Sequence, residues 1–89
     1  GASRHRIVQI KVQLLVRGEV NEETAKKHIP LIESTLLGVL STTTADELGT
    51  SEGKESVRVA ALEKVQSALS DVEGSKVIER VLFTGFVMQ

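Results

Sequence analysis

The alternation of apolar and polar residues over Val8–Val16 constrains the fold of this chain more than any other sequence feature. Every second residue of that segment is apolar, and Gln9, Lys11 and Gln13 lie between the apolar positions. Because successive side chains of a strand point to opposite faces, the pattern predicts a long β-strand with one buried face.

The period of the apolar residues changes after a turn at residues 18–21. They are then three or four positions apart, which is typical of one face of an amphipathic helix: Ala25, Ile29, Ile32, Leu36 and Leu40. Asn21 is the predicted N-cap. Pro30 must either kink this helix or split it. We favour one kinked helix, because the apolar face keeps its phase across the proline.

Charged residues near the start of this helix predict two ion pairs. Glu22 precedes Lys26 by four residues and Glu23 precedes Lys27 by four, which places each pair on one side of a helix. The neighbouring His28 is interpreted as a solvated or capping histidine.

Capping signals indicate a short helical turn and then a second long helix. Thr44 and Glu47 fit a capping box, and Gly49 closes the turn. Thr50 or Ser51 caps the next helix, and Gly74 ends it. The predicted inner face of that helix consists of Val57, Ala61, Val65, Ala68 or Leu69, and Val72.

The last segment, residues 76–89, is predicted to be a second long strand with apolar residues on both faces. Alternation assigns Phe83 and Phe86 to opposite faces, and Gly85 indicates a bulge or a close backbone approach. Such a strand is either central in a sheet or part of an interface. The predicted fold class is α+β, with two long strands and two main helices in the order strand, helix, short turn, helix, strand. Since two strands make a poor sheet, we expect further strands from outside this segment or from neighbouring molecules.

Composition excludes several classes of function. The 89 residues are enough for one domain, and they contain no cysteine, which excludes disulfides, thiolate zinc sites and cysteine nucleophiles. Eleven Lys and Arg against twelve Asp and Glu leave no strongly basic surface for nucleic acid. We predict a protein that is not an enzyme and has no cofactor, metal or nucleic-acid partner.

Two features of the sequence bear a partial likeness to chemical sites. Gly49–Lys54 has three residues between its glycines where a P-loop needs four, and Glu55 follows the lysine, so a loop with a helix cap is favoured. His5 and His28 are the only histidines; a metal site needs three or four convergent ligands, and no carboxylate lies four residues after His28. A hydrolytic domain using His28 and a small-ligand sensor domain stay as alternatives.

Three blocks of sequence, taken in order, resemble the FliL family of flagellar basal-body-associated proteins. They are Pro30–Glu33 with Leu36, Leu37, Leu40 and Ser41; Glu47 and Leu48 with Thr50, Glu52–Glu55 and Arg58; and Val81–Gln89. Together with the first strand, they extend the resemblance over nearly all of residues 6–89.

The resemblance implies a flagellar motor protein. It makes residues 6–89 the periplasmic domain of a single-pass bacterial inner-membrane protein. The small residues Gly1, Ala2 and Ser3 independently predict that residues 1–5 are a tag remnant or flexible start. The implied partners are the stator subunits (MotA/MotB or PomA/PomB type) and the rotor base of the basal body. The implied role is to support torque, swimming and swarming, with a fold similar to the stomatin/prohibitin (SPFH-like) domain, which assembles into rings.

The predicted interaction residues lie on the polar face of the first strand, in the loop region after the first helix, and on the last strand. They are Gln9, Lys11, Gln13, Thr43, Phe83, Phe86 and Met88. The alternative is a small-ligand sensor or a generic oligomerisation domain of a membrane protein.

Overall fold

The computed structural model describes the backbone of residues 8–88 and the side chains of residues 9–85. The elements are β1 (Val8–Val16), α1 (Glu19–Lys27), α2 (Ile29–Ser41), α3 (Ala45–Leu48), α4 (Ser51–Glu73) and β2 (Ile78–Met88). The predicted α+β class is therefore confirmed. The likeness to a stomatin/prohibitin domain stays a prediction.

Within the described residues the sheet consists of β1 and β2, paired antiparallel. The register shifts between Lys11 and Val12, where Thr84 is an extra residue in β2. Phe83 consequently lies opposite Val12, and the backbone of Phe86 lies opposite Ile10. Because Ile10 and Val12 belong to one face of β1, the register positions of the two phenylalanines fall on the same face. The bulge resets the phase of the backbone ladder at this point. The predicted assignment of the two side chains to opposite faces depends on Phe86, whose side chain lies outside the described residues.

The first predicted helix is two helices rather than one kinked helix. α1 ends at Lys27 and α2 begins at Ile29, with His28 between them at φ −111° and ψ 22°. Pro30 lies in the first turn of α2, where a missing N–H removes no helical hydrogen bond. The N-cap of α1 is Gly18 rather than Asn21, whose Nδ2 donates to the carbonyl oxygen of Arg17 at 2.9 Å.

The predicted caps of α3 and α4 are confirmed. The Thr44 hydroxyl accepts from the backbone N–H of Glu47 at 3.2 Å, and the Glu47 carboxylate accepts from the Thr44 N–H at 3.3 Å. The Thr50 hydroxyl accepts from the N–H of Gly53 at 2.9 Å. Gly74 ends α4 in the left-handed conformation, with φ 78°.

The second strand begins at Ile78, two residues later than predicted. Val77 is buried and has a φ of 62°, and the N–H of Ile78 donates to the carbonyl oxygen of Lys76 at 2.6 Å. This γ-turn interrupts the extended chain before the ladder starts. A positive φ is strained for a β-branched residue, so burial must hold the Val77 backbone in place.

The core lies between one face of the strand pair and helices α2 and α4. α4 packs on β2, and α2 packs on α4. The predicted inner face of α4 is confirmed at Val57, Ala61, Val65 and Leu69. Val72 is 54% exposed, so that face ends before the last turn of the helix. Ile29 of α2, also predicted to be inside, is 38% exposed.

Candidate interaction surfaces

Three predicted interaction residues share the exposed face of β1. Gln9, Lys11 and Gln13 are exposed, while Ile10 and Val12 between them are half-buried. The alternation that predicts the strand thus also produces an exposed polar surface of three side chains, which we call the β1 polar face. Its amide and ammonium groups can hydrogen-bond a protein partner and carry one positive charge.

The predicted residues of the last strand do not join the β1 polar face. Phe83 pairs with Val12, is half-buried and packs against the core. Since paired residues of adjacent strands share a face, Phe83 lies on the side of the sheet opposite to Lys11. Phe86 and Met88 lie outside the residues whose side chains the structure describes.

Thr43 lies between α2 and α3 and has a local structural role. Its hydroxyl donates to the carbonyl oxygen of Val39 at 3.0 Å, and the Thr42 hydroxyl donates to the same oxygen at 2.9 Å. Ser41 makes the corresponding bond to Gly38 at 2.9 Å. These hydroxyls give additional donors to carbonyls in the last turn of α2, where the Val39 carbonyl also accepts from the Thr42 N–H at 3.3 Å. Thr43 is half-buried, so it offers a partner less surface than the β1 polar face.

An open apolar groove of about 450 Å³ separates β1 from α2. It is lined by Ile10, Val12, Leu14, Ile29, Ile32, Glu33, Leu36, Leu37 and Leu40. Sequence periodicity assigned most of the α2 residues to the core and did not predict the groove. Leu37 is the sequence signal for the groove. It is a large apolar residue next to the predicted apolar face of α2, and it is 68% exposed. Glu33 is the one charged residue in the lining.

A charged cluster joins the α1–α2 junction to the end of α4. The Glu73 carboxylate accepts a hydrogen bond from His28 Nε2 at 2.5 Å and binds Lys27 Nζ at 2.9 Å. The predicted pair of Glu22 with Lys26 is present at 3.2 Å, but Lys27 pairs with Glu73 instead of Glu23. His28 is the C-cap residue of α1 and the N-cap residue of α2, so the predicted capping position is confirmed. Its side chain is half-buried, makes no capping hydrogen bond and binds Glu73 instead, so it is not a solvated histidine.

The partners of Glu73 make the stability of the domain depend on pH. Hydrogen bonds from His28 and then from Lys27 hold the pKa of Glu73 below its ordinary value of 4.5. A lowered pKa means that the ionised carboxylate stabilises the folded state above the unfolded pKa, and that this contribution is lost as the pH falls through the folded pKa.

We expect Glu73→Gln to lower the free energy of unfolding near pH 6, and to differ little from the unsubstituted chain once the pH is well below 4.5. Urea titrations followed by circular dichroism at several pH values measure this difference. Glu63→Gln is the matched control, since Glu63 is an exposed residue of the same helix with no ion pair in the described structure. A constant difference between Glu73→Gln and the unsubstituted chain at all pH values would contradict the role of the ionised carboxylate.

Two further features are absent from the part of the chain that the structure describes. No group of three or more His, Cys, Asp or Glu side chains in the described residues is arranged to hold a metal ion. None of the described helices combines the length and apolar character needed to cross a bilayer.

Comparison with known proteins decides the family. The family model described as "Flagellar basal body-associated protein FliL" matches residues 1–89. The chain belongs to the FliL family. The "Flagellar protein FliL" of Aquifex aeolicus (strain VF5) is 30% identical to it over 81 residues, which are 91% of this chain and 48% of that protein. The chain thus spans about half the length of this curated relative, and the family resemblance found in the sequence is confirmed.

Residues of the second block that resembles the FliL family have structural roles in this chain. Gly53 lies against the backbone of Glu47, at a distance that leaves no room for a side chain. Arg58 Nε donates to the Glu55 carboxylate at 2.9 Å along α4. This block therefore holds α3 on the first turns of α4.

Proposed function

We propose that this chain is a non-enzymatic domain of the flagellar motor that associates with the stator units and supports torque generation and motility. The observation that carries the proposal is the match of all 89 residues to the FliL family. The exposed β1 polar face supports the proposal, because a protein partner can bind its polar groups without contacting residues of the core.

In this proposal, residues 6–89 form the periplasmic domain of a single-pass inner-membrane protein. A membrane helix elsewhere in the full-length protein would hold the domain beside the stator and near the rotor base. Tethering raises the local concentration of domains, so a weak self-contact can build a ring of the stomatin/prohibitin type around each stator unit.

Such a ring would act on the stator through differential binding. A partner shifts a conformational equilibrium only when it binds one state more tightly than the other. The ring would therefore bind the engaged, ion-conducting stator better than the idle one. A preference of about 1.4 kcal/mol per stator unit would change the ratio of the two states tenfold.

The stator contact is tested by photo-crosslinking in motile cells that carry the full-length protein. A photoreactive residue replaces Lys11 on the β1 polar face, and the control probe replaces Glu63 on the exposed side of α4. We expect adducts to stator subunits from position 11 and few or none from position 63. Equal yields from the two positions would contradict this contact, and self-adducts without stator adducts would move the partner to another surface.

The apolar groove gives the small-ligand sensor its one supporting observation. A ligand that binds the folded state raises the melting temperature, and the stabilisation grows with the logarithm of the ligand concentration once that concentration exceeds Kd. With Glu33 the one charged residue in the lining, such a ligand would have to be mainly apolar. A concentration-dependent rise with an uncharged long-chain alcohol, together with wild-type motility of the Lys11 variants, would favour the sensor over the motor role.

A further inference from the structure

The β1 polar face continues onto the second strand. The ladder places Leu82 opposite Gln13 and Arg80 opposite Leu15, and paired residues of adjacent strands share a face. We call the resulting surface, on the side of the sheet away from the core, the outer sheet face. Its described side chains are Gln9, Lys11, Gln13 and Leu15 of β1 with Arg80 and Leu82 of β2.

The two charged residues of the outer sheet face, Lys11 and Arg80, are both exposed cations. Neither forms an ion pair among the described residues. Hydrogen bonding to Arg58, and to a smaller extent the charge of Arg80, holds the pKa of Glu55 below its ordinary value of 4.5, so this carboxylate is already bound by Arg58. Glu79, the one acidic residue of the two strands, binds Arg17 at 2.9 Å.

Charge is distributed unevenly between the sheet and the helices. Residues 19–73, which include all four helices, contain eleven Asp and Glu against five Lys and Arg. Residues 9–17 and 75–85, which belong to the strands and their flanks, contain four Lys and Arg against one Glu. An acidic partner is therefore attracted to the sheet side of the domain and repelled by the helical side, which orients its approach.

Two leucines form a small apolar contact between the cations. Leu15 is 43% exposed and Leu82 is half-buried, and neither belongs to the core cluster or packs against it. They are diagonal neighbours in the ladder, about 7–8 Å apart, within reach of each other and of one partner side chain. An apolar centre with polar and charged groups around it is the usual arrangement of a protein–protein interface.

The polarity of this face favours a separate protein over a further segment of the same chain as its occupant. A sheet face that is covered as part of a core is apolar, whereas permanent cover here would bury two cations and two amides. Such burial is costly unless every charge is paired and every polar group is hydrogen-bonded. Surfaces that bind anionic lipid carry clusters of about four to eight Lys and Arg, and this face has two.

We propose that the outer sheet face binds an acidic segment of a separate protein, with one carboxylate at Lys11, a second at Arg80 and an apolar side chain against the two leucines. The Cα atoms of the two cations are about 14 Å apart, because Arg80 lies opposite the residue four positions after Lys11. An extended segment with acidic residues four positions apart matches this spacing. The inference rests on the proposed function, in which the separate protein is a stator subunit, and it adds the chemistry of the contact.

Photo-crosslinking from position 13, in motile cells that carry the full-length protein, tests the proposal. Gln13 lies between the two cations on the ladder, so a probe there leaves both charges in place. We expect Lys11→Glu combined with Arg80→Glu to lower the adduct yield at least about tenfold, since two attractions become repulsions. Lys64→Glu is the matched control: Lys64 is exposed on α4 without an ion pair in the described structure, and the yield should not change.

A milder pair of substitutions separates lost binding from lost folding. Lys11→Gln combined with Arg80→Gln removes both charges at exposed positions without adding acids, and it should lower the yield in the same direction by a smaller factor. Immunoblots confirm equal cellular levels of the variants. Mass spectrometry of the adduct identifies the bound segment, and replacing its acidic residues by lysine should restore the yield of the charge-reversed variant.

The outcomes distinguish this inference from the proposed function. Stator adducts whose yield does not respond to the charge changes would overturn the acidic contact and leave the stator role standing. Charge-sensitive adducts to a protein other than the stator would support the acidic contact and contradict the stator role. Adducts to a second copy, to another segment of the same chain or to lipid would overturn the inference, as would the absence of any adduct from position 13.

Discussion

Replacing Leu69 by alanine is expected to lower the free energy of unfolding by about 2–5 kcal/mol. Leu69 is completely buried in the core between α4 and the strand pair, so the substitution removes apolar contacts and leaves a cavity that the neighbouring side chains fill only in part. A domain of this size has a total stability of about 5–15 kcal/mol, so the variant would lose a large share of it. Circular dichroism in urea is the suitable readout, because the chain has neither tryptophan nor tyrosine.

Leu37→Ala is the matched control for Leu69→Ala. It is the same chemical change in α2 at a side chain that is 68% exposed, and we expect it to alter the free energy of unfolding by less than about 0.5 kcal/mol. Equal losses in the two variants would mean that the core does not lie where the structure places it.

The elements that sequence analysis predicted well depend on local chemistry. The alternation over Val8–Val16 predicts the bounds of β1, because a half-buried strand needs a period of two and little else. The capping box at Thr44 and the glycine after α4 are equally local, since their hydrogen bonds join residues three or four apart. Patterns that join residues at most four positions apart can be recognised in a short stretch of sequence.

The strand faces show where a local signal is incomplete. Gly85 correctly indicates an irregularity in the last strand, but a glycine does not specify which neighbouring residue is extra. Thr84 is that residue, and it moves the register position of Phe86 to the face of Phe83. One inserted residue exchanges the two faces of the sheet for all later residues of the strand. Strict alternation therefore assigns residues beyond the bulge to the wrong face.

The candidate surfaces could be predicted only in part because they depend on contacts between distant residues. The β1 polar face follows from alternation alone, and its exposure agrees with the prediction. Glu73 lies 45 residues after His28, so no spacing rule predicts their hydrogen bond. Helical periodicity identifies the apolar side of α2. It cannot show that a groove separates this side from β1, because the distance between the two elements depends on the whole fold.

Gly53→Ala is expected to destabilise the domain by about 1–3 kcal/mol, although alanine is the better helix former. A Cβ at position 53 would lie 1.9 Å from the carbonyl oxygen of Glu47 and 2.7 Å from its carbonyl carbon. Both are backbone atoms of α3, so relief requires α3 to move away from the first turn of α4. Urea denaturation at neutral pH gives the loss.

Gly38→Ala is the control that separates this clash from the general effect of the substitution. Gly38 lies inside α2 with no other atom near the position of an added Cβ, so alanine should raise stability by about 0.5–1 kcal/mol. Two identical substitutions in helices of one chain are therefore expected to act in opposite directions. If both raised stability, α3 would not rest on α4 in solution, and the second block of FliL-like sequence would need a role other than packing these two helices together.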